Sequence, residues 1–392
     1  MVKDHLRVLD GLRGTAAISV VVYHLWQSSM GMASPDALWL RHGYLAVDFF
    51  FCLSGYVIGY AYDDRYGQMS VAAFLRARLI RLHPMVVAGI VIGLACYCLD
   101  PFSGRDSDHP WMEPQSAPFW KLAANVVGGL TMLPTWPLPN RFAALFSLNN
   151  PAWSLMWEYV ASGAFALLLW PMKRNTLTTC VALAALAISL SAYHSNGLIQ
   201  GFAWGEATYG LIRVAFSFCM GLLLFRSRFV IKSRAGFGTL SLLLILLFIG
   251  PRGPQWIHNW IYDLATVTIA LPLLIGLGAG AGASGLIGSF CSVCGRISYP
   301  LYMVHHGVIM MYANYNWSHA IGALTQTLLS AALAMVLIGF SYLVLVYYDE
   351  PVRKWLTSKW ARRPIDVRET PAPRAFPPHL DDPAIESRTG GK

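Results

Sequence analysis

The sequence predicts an all-α protein that crosses a lipid bilayer about ten times. Of its 392 residues, 56% are hydrophobic and 12% are charged, and the mean hydropathy is +0.48. So little charge cannot cover the surface of one large soluble domain. Apolar runs long enough to cross a hydrocarbon core of about 30 Å recur from Val8 to Tyr347. We therefore treat lipid as the solvent of most of the chain.

The predicted spans follow the apolar runs. They cover residues 8–28, 43–61, 84–99, 151–171, 176–193, 208–225, 238–250, 260–280, 297–316 and 324–347. The first run is a true span and not a cleaved signal, because no A-x-A-like site follows it. A further run, 117–133, is interrupted by Lys121, Asn125 and a Gly-Gly pair. It is either a full span or, as we favour, a re-entrant or surface-lying segment.

The distribution of lysine and arginine predicts the orientation. With 117–133 kept out of the count, the basic clusters at 76–81, 173–174 and 226–234 and the basic tail all fall on one side. The other side receives Arg41, Arg105, Lys121, Arg141 and Arg252. The positive-inside rule then places both termini in the cytoplasm. We expect the chain to lie in the inner (cytoplasmic) membrane. The same rule accounts for the net charge of +9 without a nucleic-acid partner.

Two domains are predicted. Residues 1–356 form the transmembrane domain, and 357–392 form a polar, proline-rich cytoplasmic tail that lacks the apolar residues needed to fold. The chain has seven cysteines, and Cys291 and Cys294 fall in a predicted cytoplasmic loop. Because no second pair of ligands accompanies them, we predict no metal site.

The first span carries the strongest candidates for a functional site, Arg13 and His24. They lie eleven positions apart, so on a helix they share a face and are separated by roughly 16 Å along the axis. An arginine within a bilayer normally faces the interior of a helix bundle or a wet cavity. Alternatively, Arg13 extends to the membrane surface and His24 bonds only a neighbour.

Two carboxylates are predicted in the outer half of the membrane with His24. Asp48 lies early in the second span, at the depth expected for His24, and an Asp–His bond would fix the tautomer of a general base. Glu158 follows Ser154 at i,i+4 in the segment PAWSLMWEYV, so the two share a helix face. The alternative for Asp48 is a cap or a structural ion pair.

Arginine and hydroxyl groups suggest a binding site for the other reactant. Arg78 and Arg81 are three residues apart in FLRARLIRLHP and offer forked donors to phosphate, although positive-inside topology explains them equally well. In RISYPLYMVHH, the residues Ser298, Tyr302 and His305 form a polar stripe that reaches mid-membrane, while His306 points elsewhere. Ordinary packing explains this stripe as well as chemistry does.

These segments together resemble the acyltransferase-3 family of integral-membrane O-acyltransferases. The resemblance runs from about Leu9 to Trp355 and rests on the order of its motifs, which are LDGLRGTAAISVVVYHL, GYLAVDFFFCLSGYVI, FLRARLIRLHP, PAWSLMWEYV, ISYPLYMVHH and DEPVRKW. It implies ten spans with cytoplasmic termini and transfer of an acyl group, usually acetyl, from cytoplasmic acyl-CoA to a hydroxyl of a glycan or similar acceptor. No permanently bound cofactor is expected.

The resemblance also implies roles for individual residues. The family's Arg-x10-His pattern falls on Arg13 and His24, with His24 as the catalytic histidine. The family's basic pair falls on Arg78 and Arg81, as contacts to the phosphates of CoA. We expect Asp48 or Glu158 to orient His24, and Ser298, Tyr302 and His305 to line the donor path with Arg13.

A membrane transporter or flippase is the alternative function, because buried Arg, His and carboxylate groups also form proton or substrate relays. The sequence shows neither repeats nor paired Gly/Pro-broken spans in support of it. Acceptor identity, acyl chain length, direct transfer against an acyl-enzyme intermediate, and oligomeric state stay open.

Overall fold

A computed structural model describes residues 6–29, 40–102, 117–139, 141, 143–251, 259–319 and 321–361. Helix accounts for 79% of these residues and none of them forms a strand, which confirms the all-α fold. Arg105 and Arg252 of the topology prediction, and residues 362–392 of the predicted tail, lie outside the described residues.

The described residues form a series of α-helices. They are α1 Arg7–Ser29, α2 Ala46–Tyr62, α3 Val71–Cys98, α4 Phe119–Thr131, α5 Ala152–Ala164, α6 Arg174–Ser195, α7 Ala207–Arg226, α8 Phe237–Ile249, α9 Asn259–Ala265, α10 Leu271–Gly280, α11 Gly285–Ser318, α12 Ala323–Val344 and α13 Glu350–Ala361. Segments of π-helix extend α5 (Phe165–Leu169), join α9 to α10 (Thr266–Ala270) and join α12 to α13 (Leu345–Asp349).

Seven helical stretches of the described chain are long and apolar enough to cross a membrane. These are Gly43–Arg65, Val71–Cys98, Ala152–Leu169, Arg174–Ser195, Ala207–Arg226, Asn259–Gly280 and Ala323–Trp360. The apolar α8 is shorter. Helices α1 and α11 are long enough but are not among the seven, since they carry many of the polar residues of the site described below. The protein is therefore a multi-pass membrane protein, while the count of ten spans and the side of the termini stay predictions.

Helix α4 explains why the segment 117–133 was ambiguous. With 13 residues, it is about 20 Å long and too short to cross the hydrocarbon core. Asn125 Nδ2 donates to the carbonyl oxygens of Lys121 and Trp136, at 2.9 and 3.0 Å, and so ties α4 to the loop that follows it. This segment is not a full span by itself.

Small residues let α1 and α11 pack closely along their length. A Cβ atom added at Gly14 would lie 2.5 Å from Cys294 Cβ, and one added at Gly295 would lie 2.6 Å from Asp10 Cβ. The prediction of a loop around Cys291 and Cys294 is wrong, because α11 begins at Gly285 and both cysteines lie within it. Close approach to α1 stabilises this additional stretch of helix.

Helices α2 and α7 form a second close pair. A Cβ added at Gly55 would overlap the carbonyl oxygen of Phe218, and one added at Gly221 would overlap that of Cys52. Small residues at such crossings let two backbones touch, as is common between helices in lipid. This contact places Asp48 of α2 beside Arg213 of α7.

One end of the bundle, which we call the arginine end, carries Arg226 and Arg76, two of the basic residues that the topology prediction placed on one side. Arg226 Nη2 lies 2.6 Å from Asp63 Oδ1 and also donates to the carbonyl oxygens of Leu169 and Trp170, so the ends of α2, α5 and α7 meet there. At the same end, the guanidinium of Arg76 lies 5.2 Å from the ring centroid of Trp360 in α13. Helix α13 therefore extends through Ala361, into the segment whose disorder was predicted from Thr357 onward.

Candidate active site

Two adjoining cavities lie among α1, α2, α5 and α11. The arginine cavity, about 110 Å³, is lined by Arg13, Arg78, Arg81, Ser154, Glu158 and Ser298 among others. The histidine cavity, about 100 Å³, is lined by His24, Gln27, Tyr44, Trp153, Arg213 and His306 among others. Val47 and Tyr302 line both cavities, so the two meet at these side chains.

Arg13 is fixed to α11 inside the arginine cavity. Its Nε donates to Ser298 Oγ at 3.0 Å and its Nη2 donates to the carbonyl oxygen of Gly295 at 2.8 Å. Asp10, one turn earlier in α1, lies 3.0 Å from the same guanidinium. The structure thus brings Arg13 and Ser298, both expected to line the donor path, within hydrogen-bond distance of each other.

Arg78 and Glu158 form an ion pair in the same cavity. Arg78 Nη2 lies 2.5 Å from Glu158 Oε1, Arg78 Nε donates to Ser162 Oγ at 3.2 Å, and Ser54 Oγ donates to Glu158 at 3.0 Å. The expectation that Glu158 lies beside His24 is wrong. Glu158 is six residues into α5, roughly 9 Å along the helix axis, which puts it at the depth of the arginines.

Arg81 differs from Arg78 in having no partner among the described residues. Its guanidinium makes no hydrogen bond or ion pair with the residues that the structure describes, and its side chain is exposed. It lines the arginine cavity and also a larger cavity beside α13. Arg81 is therefore a positive charge available to a ligand, whereas the charge of Arg78 is balanced by Glu158.

Tyr302 separates the two cavities. Its hydroxyl lies 2.7 Å from Ser154 Oγ, and its ring lies edge-on to the ring of Phe50 with centroids 5.6 Å apart. Together with Val47 this side chain forms a partition between the arginine cavity and the histidine cavity. A ligand that occupies both must pass this partition.

His24 points into the histidine cavity, where its Nδ1 lies 3.4 Å from Gln27 Oε1. Because the amide oxygen only accepts, this contact places the ring proton on Nδ1 and leaves the lone pair on Nε2. Nε2 makes no hydrogen bond within the described part of the chain. The arrangement suits a general base directed at the cavity.

Two further histidines surround His24. The ring of His305 stacks on it with centroids 5.5 Å apart, and the ring of His306 meets it edge-on at 5.9 Å. His305 Nδ1 donates to the carbonyl oxygen of Leu301 at 2.9 Å, so its own position on α11 is fixed.

The expectation that His306 points away from the site is wrong. His306 lines the histidine cavity, because it follows Tyr302 at i,i+4 and so shares the helix face of that residue. His305 is fully buried behind it.

Asp48 does not orient His24, contrary to the sequence prediction. Its carboxylate lies 2.6 Å from Arg213 Nη2, accepts two longer bonds from Arg213 Nε, and accepts a bond from Ser217 Oγ at 3.4 Å. Arg213 also donates to the carbonyl oxygens of Gln200 and Tyr44. Both charged side chains are almost fully buried, with 1% and 0% of Arg213 and Asp48 exposed. Because the buried guanidinium of Arg213 offers several directed donors, the carboxylate of Asp48 bonds Arg213 and not His24.

Arg213 and Gln27, like His306, are site residues that sequence reasoning missed. Arg213 interrupts an apolar span just as Arg13 does, so the same signal was present. Asp263 is a further example, since its carboxylate is fully buried and bonds His42 Nδ1 at 2.7 Å and the Tyr44 hydroxyl at 2.8 Å. This cluster holds Tyr44 against the histidine cavity. Gln27 gave no comparable signal, because one amide near a helix end is unremarkable.

Comparison with known proteins identifies the family. A family profile described as an acyltransferase domain matches residues 6–347. The chain is 34% identical to "Protein 2 in picA locus" of Rhizobium radiobacter over 189 residues, which are 47% of this chain and 91% of that protein. It is 38% identical over 96 residues to a putative O-acetyltransferase of Staphylococcus aureus strain COL, and 37% identical over 93 residues to the O-acetyltransferase OatA of that species. Each of these two matches covers 23% of this chain and 14% of the staphylococcal protein. No solved structure matches.

The family match includes every helix that lines the two cavities, and it ends before α13. It favours an acyltransferase over a transporter, in agreement with the order of motifs in the sequence. The multi-pass helical fold suits an enzyme embedded in lipid. The chain belongs to the acyltransferase-3 family of integral-membrane O-acyltransferases.

Proposed function

We propose that the protein transfers an acyl group, acetyl by default, from cytoplasmic acyl-CoA to a hydroxyl of a cell-surface or exported glycan, with His24 as the general base. The observation that supports this most is the contact between two unlike cavities at Val47 and Tyr302. One cavity offers cationic groups for an anionic donor, and the other offers a histidine lone pair.

In this proposal the protein lies in the inner membrane with its arginine end facing the cytoplasm, and the donor enters from that end. The phosphates of acyl-CoA interact with Arg81, and its pantetheine chain passes Arg13 and reaches the partition. Ser298 holds Arg13 at the wall of the path. Arg78 does not contact the donor phosphates in this proposal. Its ion pair with Glu158 instead fixes the wall of the cavity between α3 and α5. Tyr302 must move for the thioester to reach His24.

In the transfer step, Nε2 of His24 takes the proton from the acceptor hydroxyl as the oxygen attacks the thioester carbonyl carbon. The carbon–sulfur bond then breaks, and the leaving thiolate takes the proton back from His24 to give the free thiol of CoA. The products are an O-acyl ester and CoA. Gln27 keeps the other ring nitrogen protonated, and the stacked ring of His305 holds the imidazole plane.

Asp48 has a positioning role in this proposal. Its ion pair with Arg213 fixes the side of the histidine cavity formed by α2 and α7. Arg213 also lies over the ring of Trp153, with 5.4 Å between its guanidinium carbon and the ring centroid. Tyr44, Trp153 and other aromatic side chains give this cavity flat walls, and Gln27, Asn150 and Arg213 add polar groups among them, a combination typical of small-molecule sites. Such walls suit the apolar face of a sugar ring.

Mass spectrometry of cell-surface glycans tests this function. A deletion strain should lose an acyl modification that the wild-type gene restores. His24→Ala should fail to restore it, with transfer about 10² to 10⁴ times slower. The control is His194→Ala, which alters an exposed histidine of α6 outside both cavities. Full restoration by a correctly inserted His24→Ala variant would exclude His24 as the base.

A further inference from the structure

A third cavity adjoins the arginine cavity at the arginine end. This cavity, the α13 groove, has about 690 Å³ and is lined by Tyr62, Arg81, Glu350, Arg353, Lys354 and others. Arg81 lines the α13 groove and the arginine cavity, so the two are contiguous at this side chain. The α13 groove, the arginine cavity and the histidine cavity thus follow one another in series.

The groove carries positive charge that the described chain leaves partly uncompensated. Lys354 and Arg81 make no hydrogen bond or ion pair with any described residue. Arg353 Nη2 lies 2.5 Å from Asp349 Oδ2, but Arg353 Nε is buried and has no hydrogen-bond partner in the described chain. The one carboxylate that lines the groove, Glu350, lies 2.6 Å from Arg296 Nη2 and is balanced by it.

The geometry points to the α13 groove as the binding site for the phosphorylated nucleotide end of the donor, with Arg353 and Lys354 contacting its phosphate monoester. This inference rests on the proposed function, since it assigns one part of the same donor. It adds a subsite on α13, a helix that begins after the last residue matched by the family profile.

The length of the path supports this assignment. His24 is roughly 16 Å from Arg13 along α1, and the α13 groove lies beyond Arg81 on the far side of the arginine cavity. A donor whose thioester reaches His24 is therefore long, and its charged end stays outside the narrow cavities. A phosphate monoester carries about −1.5 to −2 charges near neutral pH. We expect this monoester to bind in the wide groove, because the exposed ammonium of Lys354 and the guanidinium of Arg353 line it and charge-assisted bonds to phosphate are strong.

Binding of CoA and dephospho-CoA, which lacks only the monoester, tests the inference. The full-length chain would be placed in nanodiscs of phosphatidylcholine and its Kd for each ligand measured by calorimetry. Lys354→Ala should raise the Kd for CoA about tenfold, the value of one lost charge-assisted bond. The Kd for dephospho-CoA, already weaker in the wild type, should not change. Arg353→Ala should show the same selectivity.

The matched control is Lys359→Ala, on the same helix. Lys359 lies 4.3 Å from the ring centroid of Trp355 and does not line the groove, so both Kd values should stay at those of the wild type. Because Arg353→Ala breaks an ion pair and can disturb α13, Lys354→Ala is the decisive variant. An equal rise for both ligands, or no rise for either, would overturn the subsite.

Two other results have distinct meanings. If the wild-type chain binds neither CoA nor dephospho-CoA, the proposed donor is wrong and the subsite with it. An anionic lipid headgroup offers the same phosphate chemistry, so the measurement is repeated with phosphatidylglycerol in the nanodisc. An effect of Lys354→Ala that arises only with this lipid, and is equal for the two ligands, would assign the groove to a headgroup and overturn the inference.

Discussion

The hydroxyl of Tyr302 lies 2.7 Å from Ser154 Oγ and joins α11 to α5 at the boundary between the arginine cavity and the histidine cavity. This bond, with the packing of Phe50 on the tyrosine ring, closes the path between the two cavities. In the proposed reaction the thioester passes this point, so Tyr302 limits the size of the acyl group.

Tyr302→Ala should therefore relax selectivity for chain length. The ratio of kcat/KM for a butanoyl donor to that for an acetyl donor should rise about tenfold or more, because each methylene accepted or refused is worth roughly 1–3 kcal/mol. The ratio is measured in membrane vesicles supplied with the two CoA esters. Tyr302→Phe is the control, since it keeps the ring and should keep the ratio. The same ratio in all three proteins would show that Tyr302 does not limit the acyl group.

Gln27→Ala should slow transfer only modestly. The amide accepts one long hydrogen bond from His24 Nδ1, at 3.4 Å, and such a neutral bond is worth about 0.5–1.5 kcal/mol. We expect a loss of less than about tenfold in kcat, with donor Kd unchanged. Gln68→Ala, an exposed change at the arginine end, provides the comparison. A loss as large as that of His24→Ala would mean that Gln27 itself contacts the reacting groups.

The Asp48–Arg213 pair should behave as a structural unit. Asp48→Ala leaves a buried arginine without its counter-charge and should destabilise the protein by about 3–5 kcal/mol. Removing both charges, as in Asp48→Leu with Arg213→Met, should restore most of the lost stability. The midpoint of thermal unfolding in detergent reports these differences. A double variant that is stable but inactive would contradict a purely positioning role, because it would place one of the two side chains on a reactant.

Substitutions of Arg78 and Arg81 should affect different properties, the stability of the protein and its affinity for CoA, although the two residues lie one turn apart. Arg81→Ala removes a charge that has no partner in the described chain, so it should raise the Kd for CoA about tenfold and leave the unfolding midpoint unchanged. Arg78→Ala leaves Glu158 without the arginine 2.5 Å away and should lower the midpoint. Arg174→Ala, at the start of α6, is the control for loss of charge at the arginine end. Equal effects of Arg78→Ala and Arg81→Ala on both measurements would reject this division.

The sequence predicted the helical membrane fold because hydropathy is a property of each segment alone. Arg13 and Ser298 were both expected to line the donor path, and the structure joins them by a hydrogen bond. The partner of Asp48 could not be found in this way. Depth in the membrane matched Asp48 to His24. Whether Asp48 bonds His24 or Arg213 depends on which helix packs on α2. Helix α7 packs there because Gly55 and Gly221 let the two backbones touch.

Helix faces and helix ends account for the remaining differences. His305 and His306 are adjacent and point about 100° apart on α11, so the rotation of this helix about its axis decides which one lines the cavity. The depth of Glu158 depends on where α5 begins, and the loop predicted at Cys291 depends on where α11 begins. Both starting points are set by packing between helices that are distant in the sequence, and single-segment patterns do not report such packing.

The central claim is that one continuous path brings the donor thioester to His24. Electron cryo-microscopy of the full-length protein in nanodiscs, with a non-hydrolysable acyl-CoA analogue bound, tests it most directly. The account predicts phosphates beside Arg81 and the α13 groove, a displaced Tyr302, and the acyl carbon within about 3–3.5 Å of the position where an acceptor oxygen would meet His24 Nε2. An analogue bound with its acyl end away from His24, or entering from the histidine cavity, would contradict the account.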